Sequence, residues 1–291
     1  MARVVCVHGV AQQREAANTL HEAWAPALSG GVGLAGGRLA ESEVACAFYG
    51  DLFRPPGRHL AVGEPVIRPQ DLDEFEHDLL SAWWVEAARS DTAVIAPDAR
   101  TLAVRTPGSV QAALRALSGS RFFAAIGERA LLGDLRQIRL YFGDREIRRQ
   151  AVQRVDDAVG LDTRVLVGHS LGSVVAYEAL SANVDWPVQL LVTLGSPLGI
   201  PNLIFDRLQP LPLPATRPGS GPRGCWPGAD RAWANIADQG DVVALVKDLR
   251  PAFGSGVDCW VVDNGAHAHK VQPYLTAVET GRAIRSGLAA E

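Results

Sequence analysis

The sequence predicts an α/β fold with a mostly parallel central sheet flanked by helices. Short apolar runs rich in β-branched residues alternate with longer segments of helical periodicity, an order that favours parallel strands joined by helices. Polar residues with catalytic potential follow several of these runs directly, and the carboxyl ends of parallel strands meet at one edge of a sheet. We therefore expect a single domain over residues 1–291 with one ligand site at that edge.

Composition restricts the function before any motif is considered. Of the 291 residues, 47% are hydrophobic and 21% are charged, which predicts a packed core rather than disorder. The net charge of −4 argues against nucleic acid as a partner. The four cysteines have no metal-ligand spacing and no disulfide pattern, so we expect neither a metal nor another cofactor. The absence of a signal peptide pattern or a long apolar run favours a cytoplasmic protein, with peripheral membrane contact left open.

The first half of the chain begins with clear strand and helix patterns and then becomes irregular. We predict a strand at 4–7, a helix at 12–28, a Gly-rich connector at 30–37 and a second strand at 43–49. Short helical patterns between Pro- and Gly-rich breaks predict a helical insertion or cap over about 52–133. One of its helices is expected to have Asp71 as N-cap, because Glu74 follows three residues later as in a capping box.

The second half of the chain is more regular. We predict a helix at 135–159 that is interrupted at Gly143, strands at 164–170, 188–194, 233–237 and 257–262, a short helix after Asp241, and a closing helix within 271–288 that bends at Pro273. The stretch 198–228 is dense in Pro and Gly, which exclude a regular helix or a central strand. A loop of that length in a compact domain usually has a function, so we expect a lid-like loop there.

One strand–turn–helix segment carries the main functional signal. A strand pattern ends in Gly168-His169-Ser170-Leu171-Gly172, and a helix-forming run follows. In the pattern Gly-x-Ser-x-Gly the turn is so sharp that the residues two before and two after the serine must be small. Such a turn exposes the serine hydroxyl at the N-terminus of a helix, where backbone N–H groups stabilise negative charge. Ser170 is therefore the candidate nucleophile.

The base and the acid that this serine requires are expected further along the chain. A serine hydroxyl needs a base within hydrogen-bond reach, and the base needs an acid that orients it. In hydrolases built on this turn, the chain order is serine, acid, histidine. Two histidines, His267 and His269, lie downstream in the loop after the last predicted strand, and we favour His269. Two acids, Asp238 and Asp241, follow the strand at 233–237, and we favour Asp241.

Two backbone donors are expected to form an oxyanion hole for a tetrahedral intermediate. One is the N–H of Leu171, directly after the nucleophile. The other is predicted to come from the turn after the first strand, His8-Gly9-Val10, through the N–H of Val10. We expect His8 to brace this turn by hydrogen bonding. Because His169 neighbours the nucleophile, its side chain is expected to be directed away from the hydroxyl, so it is not a candidate base.

These motifs resemble those of the α/β-hydrolase superfamily on its lipase- and esterase-like side. The similar stretches are Val-Val-Cys-Val-His-Gly-Val at 4–10, Val-Gly-His-Ser-Leu-Gly-Ser at 167–173, Thr-Leu-Gly-Ser-Pro at 193–197, Asn235 through Asp241 to Ala244, and His269 followed by Tyr274-Leu275. The resemblance implies an α/β-hydrolase fold, a Ser170–Asp241–His269 triad, an oxyanion hole from Val10 and Leu171, and no metal. The Gly-Ser-Pro stretch is similar to that of lipid-acting members.

Three hypotheses for the function follow. The leading one is a serine hydrolase that cleaves a carboxylic ester, of a small molecule or a lipid-like compound, through an acyl-enzyme intermediate. The second keeps the triad in a serine peptidase, a thioesterase or an acyltransferase, and the third is a non-catalytic binding or scaffold protein on the same fold. Apolar residues in the Pro-rich loop indicate either an apolar acyl group or core packing: Leu203, Ile204, Phe205, Leu211 and Leu213.

Overall fold

One six-stranded sheet forms the centre of the protein. The computed structural model describes residues 2–54, 67–120, 127–215, 219 and 221–289. Every neighbouring pair of strands is parallel, in the order β2-β1-β3-β4-β5-β6. The strands are β1 Val4–Val7, β2 Val44–Ala47, β3 Val165–His169, β4 Leu190–Leu194, β5 Ala232–Asp238 and β6 Val257–Val262. The predicted α/β class with a parallel sheet is confirmed.

Helices cover both faces of this sheet. They are α1 Ala17–Leu34, α2 Glu74–Ser90, α3 Ala99–Leu102, α4 Pro107–Ser118, α5 Glu128–Gly143, α6 Arg145–Asp156, α7 Leu171–Ala182, α8 Arg250–Phe253, α9 Val271–Thr276 and α10 Val278–Ala289. Alternate residues of β1 point to opposite faces, as the pleat requires. Val5 and Val7 join the core formed with α2 and α4–α7, whereas Val4 and Cys6 join the core formed with α1, α9 and α10.

The strand order creates a crevice at the carboxyl edge of the sheet. The chain passes from β1 outward to β2, and then returns to place β3 on the other side of β1. The loops that follow β1 and β3 therefore leave in opposite directions. In open parallel sheets, ligands bind in the crevice at such a point, outside the carboxyl ends of the strands. Ser170 directly follows β3 and lies at this point.

Helix α1 differs from its prediction at both ends. It begins at Ala17 and continues to Leu34, so it includes glycines that the sequence predicted to be a connector. A Cβ at Gly31 would collide with the carbonyl oxygen of Leu275, and a Cβ at Gly281 would collide with the carbonyl oxygen of Gly31. The glycines thus permit α1 to pack closely against α9 and α10, and this packing overrides their low helix propensity.

Three further boundaries also differ from the prediction. The N-cap of α2 is Asp73, paired with Glu76 in a capping box, rather than Asp71. No helix directly follows Asp241, and the next helix of the described chain is α8. The closing helix breaks at Ala277 instead of bending at Pro273, because Pro273 lies in the first turn of α9, where the missing N–H has no intrahelical acceptor. The interruption at Gly143 is confirmed, since α5 ends there.

The two irregular stretches are described in part. Helices α2–α4 occupy much of 52–133, while 55–66 and 121–126 lie outside the described residues, and the insertion itself stays a prediction. In the loop at 198–228, Ile204 and Phe205 belong to the core, whereas Leu211 and Leu213 are 64% and 57% exposed. None of the described helices is both long enough and apolar enough to cross a membrane.

Candidate active site

The turn that carries Ser170 has the strain expected of a nucleophile elbow. Ser170 adopts φ 53° and ψ −130°, a conformation that side-chain-bearing residues rarely take. A Cβ at Gly168 would lie 2.6 Å from the carbonyl oxygen of Gly172. A Cβ at Gly172 would collide with the carbonyl oxygens of Val7 and His8. The two glycines of the motif are therefore required because backbone from β1 and α7 occupies the space of a side chain.

Ser170, His269 and Asp241 are joined by two hydrogen bonds. The Nε2 atom of His269 lies 3.0 Å from Ser170 Oγ, and its Nδ1 atom lies 2.8 Å from Asp241 Oδ2. Because an ionised carboxylate only accepts hydrogen bonds, Nδ1 carries the proton and donates it to Asp241. Nε2 is then free to accept the hydroxyl proton of Ser170. The structure brings together the three residues that the sequence favoured.

The Asp241 carboxylate is fully buried and each of its oxygens accepts two hydrogen bonds. Oδ1 accepts from the N–H groups of Val243 at 2.9 Å and Ala244 at 3.3 Å, and Oδ2 accepts from His269 and from the Tyr274 hydroxyl at 2.7 Å. Burial raises the pKa of Asp241, but the charge of His269 and these hydrogen bonds outweigh it, so that the pKa lies below its usual value. The carboxylate therefore stays ionised.

Tyr274 is a site residue to which the sequence assigned no role. Its hydroxyl donates to Asp241 and accepts the N–H of Asp238 at 2.8 Å, so it connects β5 to the acid. Burial raises the pKa of Tyr274, and the neighbouring Asp241 charge adds to this effect, which keeps the hydroxyl protonated as a donor. Tyr274-Leu275 was part of the resemblance. The sequence around a helical tyrosine does not predict that its hydroxyl contacts a distant acid such as Asp241.

His169 supports the loop that carries His269. Its Nε2 atom lies 3.0 Å from the carbonyl oxygen of His269, and the two ring centroids are 4.9 Å apart. Burial, and after it the charge of His269, lower the pKa of His169 to about 3, so the ring is neutral and Nε2–H donates to that oxygen. The ring also meets Trp24 edge-on, with centroids 6.3 Å apart. As predicted, it is directed away from the Ser170 hydroxyl.

The two alternative residues do not join this hydrogen-bonded set. One oxygen of Asp238 accepts the N–H of Gly240 at 2.7 Å, and the other accepts the N–H of Asn264. Asp238 therefore ties the end of β5 to the loop after β6. His267 is exposed in the turn at Gly265–His267. In the structure Asp241 and His269, and not Asp238 and His267, are hydrogen-bonded in a chain to Ser170.

The predicted oxyanion donors lie on either side of Ser170. Leu171 is the first residue of α7, so its N–H has no acceptor within the helix. The turn after β1 runs directly beside the serine, since a Cβ at Gly9 would lie 2.7 Å from Ser170 Cβ and 3.3 Å from its Oγ. Val10 follows in that turn, and Ala11 has a positive φ of 65°. Both predicted donors therefore belong to segments that border the Ser170 hydroxyl.

His8 braces this turn, as the sequence predicted. Its Nε2 atom accepts the N–H of Tyr49 at 3.1 Å, so Nδ1 carries the proton and donates to the carbonyl oxygen of Gly9 at 2.7 Å. The Tyr49 ring stacks on the imidazole at 4.1 Å, and its hydroxyl donates to the His8 carbonyl. Burial lowers the pKa of His8 to about 4, so the ring is neutral in this position.

Three more residues shape the site, and no pattern in the sequence indicated them. Gly195, with φ 53°, leaves room for the acid, since a Cβ there would lie 2.7 Å from Asp241 Oδ2. Lys247 Nζ donates to the Asp241 carbonyl at 2.6 Å and pairs with Glu86 of α2 at 3.3 Å. Gln137 of α5 accepts the N–H of Ala11 at 3.2 Å. These contacts depend on the tertiary fold.

Comparisons with known proteins do not assign the chain to a family. No protein-family model matches it, and no curated protein is similar to it at a significant level. Within the described residues, no group of His, Cys, Asp and Glu side chains has the arrangement of a metal site. The geometry around Ser170 therefore carries the functional evidence.

Proposed function

We propose that this protein is a serine hydrolase of the α/β-hydrolase superfamily that cleaves a carboxylic ester through an acyl-enzyme intermediate. The observation that carries the proposal is the chain of hydrogen bonds from Ser170 Oγ through His269 to Asp241, at 3.0 Å and 2.8 Å. A serine activated in this way is the recurring device of acyl transfer on unrelated folds.

The arrangement of these residues along the chain supports membership of the superfamily. Ser170, Asp241 and His269 follow β3, β5 and β6, in the order serine, acid, histidine that hydrolases with this elbow share. The serine turn leads directly from a strand into a helix, which is the context that gives the Gly-x-Ser-x-Gly motif its specificity. The resemblance seen in the sequence thus agrees with the placement of all three side chains.

Acylation begins when His269 Nε2 removes the proton of Ser170 as Oγ attacks the carbonyl carbon of the ester. The electron pair of the C=O bond moves to its oxygen, and the N–H groups of Val10 and Leu171 stabilise the negative charge. Asp241 stabilises the imidazolium that forms. When the tetrahedral intermediate collapses, the bond to the alcohol oxygen breaks, and His269 gives its proton to the leaving alcohol.

Deacylation repeats these steps with water as the nucleophile. His269 Nε2 takes a proton from the water as its oxygen attacks the acyl carbon, and then returns a proton to Ser170 Oγ as the acid leaves. The strained backbone of Ser170 contributes by holding Oγ beside Nε2 in both steps. No atom of this cycle requires a cofactor, because every proton and electron pair is accounted for by the ester, water and the three side chains.

Labelling with a fluorophosphonate tests whether Ser170 is an activated nucleophile. We expect covalent labelling of the wild-type protein and none of the Ser170→Ala variant, with hydrolysis of p-nitrophenyl esters lost in parallel. An acyl-chain-length series, with a thioester and a peptide beside it, identifies the bond and the acyl group. A correctly folded wild-type protein that is neither labelled nor active would contradict the proposal and favour the scaffold hypothesis.

A matched pair of histidine variants tests the assignment of the base. His267 and His269 lie in the same loop, but only His269 contacts Ser170. We expect His269→Ala to abolish ester turnover and His267→Ala to leave it close to the wild-type level. Loss of turnover in His267→Ala alone would contradict the assignment.

A further inference from the structure

One peptide unit of the elbow joins a hydrogen-bonded carbonyl to a proposed oxyanion donor. The carbonyl of Ser170 and the N–H of Leu171 belong to the same planar trans peptide, so they point in opposite directions and turn together. A contact that fixes the Ser170 carbonyl therefore also fixes the direction of the Leu171 N–H. Because the backbone of Ser170 is strained, with φ 53° and ψ −130°, this orientation depends on support from the surrounding structure.

Ser173, in the first turn of α7, supplies part of that support. Its Oγ donates to the Ser170 carbonyl oxygen at 2.6 Å, and its backbone N–H donates to the same oxygen at 2.9 Å. The residue is fully buried, so both hydrogen bonds lie away from solvent. The Ser170 carbonyl is thus held by two donors from one residue, and one of them is a side chain.

A second buried serine extends this contact into a chain of donors. Ser173 Oγ lies 2.7 Å from Ser196 Oγ, which in turn accepts the N–H of Leu198 at 3.2 Å. Because a carbonyl oxygen only accepts, the Ser173 hydroxyl proton must point to Ser170. The Ser196 hydroxyl proton therefore points to Ser173. All the protons run in one direction, from the Leu198 N–H to the Ser170 carbonyl, and such chains strengthen their own members.

We infer that Ser173 and Ser196 are positioning residues that aim the N–H of Leu171 at the oxyanion, with Ser196 acting through Ser173. This inference rests on the proposed function. The chain of donors is complete in the free protein, so the Leu171 N–H needs no reorganisation when negative charge develops. The role also accounts for one serine in each of two stretches that are similar to α/β-hydrolases, 167–173 and 193–197.

The variant Ser173→Ala tests the direct contact. It removes the side-chain donor to the Ser170 carbonyl but keeps the backbone one, so we expect kcat for p-nitrophenyl butyrate to fall about tenfold, less than for a lost oxyanion donor. KM should change little, because acylation and deacylation both pass through an oxyanion and slow together. Ser181→Ala is the control in the same helix, since the Ser181 hydroxyl donates to the Tyr177 carbonyl at 2.8 Å, and it should keep the wild-type kcat.

A trifluoromethyl ketone separates a positioning role from a merely structural one. This probe forms a hemiketal with Ser170 that places its oxygen among the oxyanion donors, and fluorine NMR follows the ionisation of that oxygen. In Ser173→Ala the pKa of the hemiketal should lie about one pH unit above that of the wild-type adduct, the equivalent of a tenfold loss. A loss of folded enzyme would reduce the amount of adduct and leave this pKa unchanged.

The variant Ser196→Ala tests whether Ser196 acts through Ser173. We expect a smaller fall in kcat and a smaller rise in the hemiketal pKa, because Ser173 Oγ still donates to the Ser170 carbonyl. The double variant should lose no more than Ser173→Ala alone, since the path from Ser196 is already interrupted. Losses that multiply would contradict this path. If Ser173→Ala does not fold, an unchanged hemiketal pKa in Ser196→Ala overturns the inference.

The remaining outcomes separate this inference from the proposed function. An active wild-type enzyme whose hemiketal has the same pKa as that of Ser173→Ala would overturn the positioning role and leave the serine mechanism intact. A fall in kcat without a change in this pKa has the same meaning, because the hydroxyl would then act on folding or on the base. Failure of the wild-type enzyme to hydrolyse any ester, together with an unlabelled Ser170, would overturn both.

Discussion

The two sides of His269 are built in opposite ways. Behind the imidazole, Asp241, Tyr274 and His169 form a closed set in which the polar atoms near His269 have partners within the protein. In front of it, Nε2 faces Ser170 Oγ at 3.0 Å. We call these the closed side and the open side. The closed side fixes the base before a substrate arrives, and the open side holds the atoms that exchange protons during turnover.

This contrast separates the groups that hold the base from the group that would react with a substrate. Hydrogen bonds that are complete in the free protein cost no reorganisation during the reaction, so they suit groups that act in every turnover. Variants on the closed side should therefore change kcat or stability and have little effect on KM.

The largest effect on the closed side is expected for Asp241→Asn. An amide in this position favours the wrong tautomer of His269, so that Nε2 no longer accepts the serine proton, and kcat should fall by about 10⁴-fold. Asp238→Asn is the matched control, since Asp238 binds backbone N–H groups and not His269. Steady-state hydrolysis of a p-nitrophenyl ester measures both variants. A larger loss in Asp238→Asn would contradict the assignment of the acid.

Tyr274→Phe should cost stability. The change removes a hydrogen bond to a buried carboxylate and leaves the N–H of Asp238 without an acceptor, for a loss of about 3 kcal/mol in the free energy of unfolding. Urea denaturation measures this loss. Tyr177→Phe is the control, because the Tyr177 hydroxyl donates to the neutral carbonyl of Cys225, and it should cost about 1 kcal/mol. Equal losses would show that the link to Asp241 adds nothing.

His169→Phe should misplace the base. The phenyl ring can still pack against Trp24, but the donor to the His269 carbonyl is lost, and a small displacement of His269 reduces kcat by about tenfold to a hundredfold. KM should change little, because His169 is directed away from the crevice. His169→Gln, which retains an N–H donor, should restore part of the lost kcat. No rescue, or a change confined to KM, would contradict a positioning role.

The smallest effect concerns acid stability. His8 has its pKa lowered from 6.5 to about 4, so the unfolded state binds its proton first as the pH falls. The stabilisation by the neutral ring is present above pH 6.5 and is lost between about pH 6.5 and 4. Between pH 7.0 and 5.5 this group should contribute about 1.2 kcal/mol to the decline in unfolding free energy.

His8→Gln tests this contribution, because glutamine does not titrate. The variant is expected to be less stable overall, but its unfolding free energy should fall less between pH 7.0 and 5.5 than that of the wild-type protein, by about 1.2 kcal/mol. Other titrating groups contribute equally to both proteins and cancel in this difference. Parallel declines in the two proteins would mean that His8 titrates normally in the folded state.

The sequence predicted what depends on local pattern and chain order. Gly168 and Gly172 indicated the turn at Ser170, and the order of acid and histidine after it favoured Asp241 and His269. The boundaries of α1 could not be predicted in this way, because Gly31 is helical only through its packing against the segment near Leu275. Tyr274 was missed for the same reason, because its contact with Asp241 joins distant parts of the chain.

The packing of α1 has a consequence for the order of folding. The segment after His269 is held by α1 at Gly31, and Arg3 donates to the carbonyl of Leu288 across a separation of 285 residues. Closing so long a loop costs conformational entropy before any of its contacts can form, and such contacts therefore form late. The elbow of Ser170 is held by β1, by its own helix and by the Leu194 carbonyl of β4, and none of these contacts involves α1. The nucleophile and its base thus depend on different long-range contacts, and chemical reactivity requires both sets.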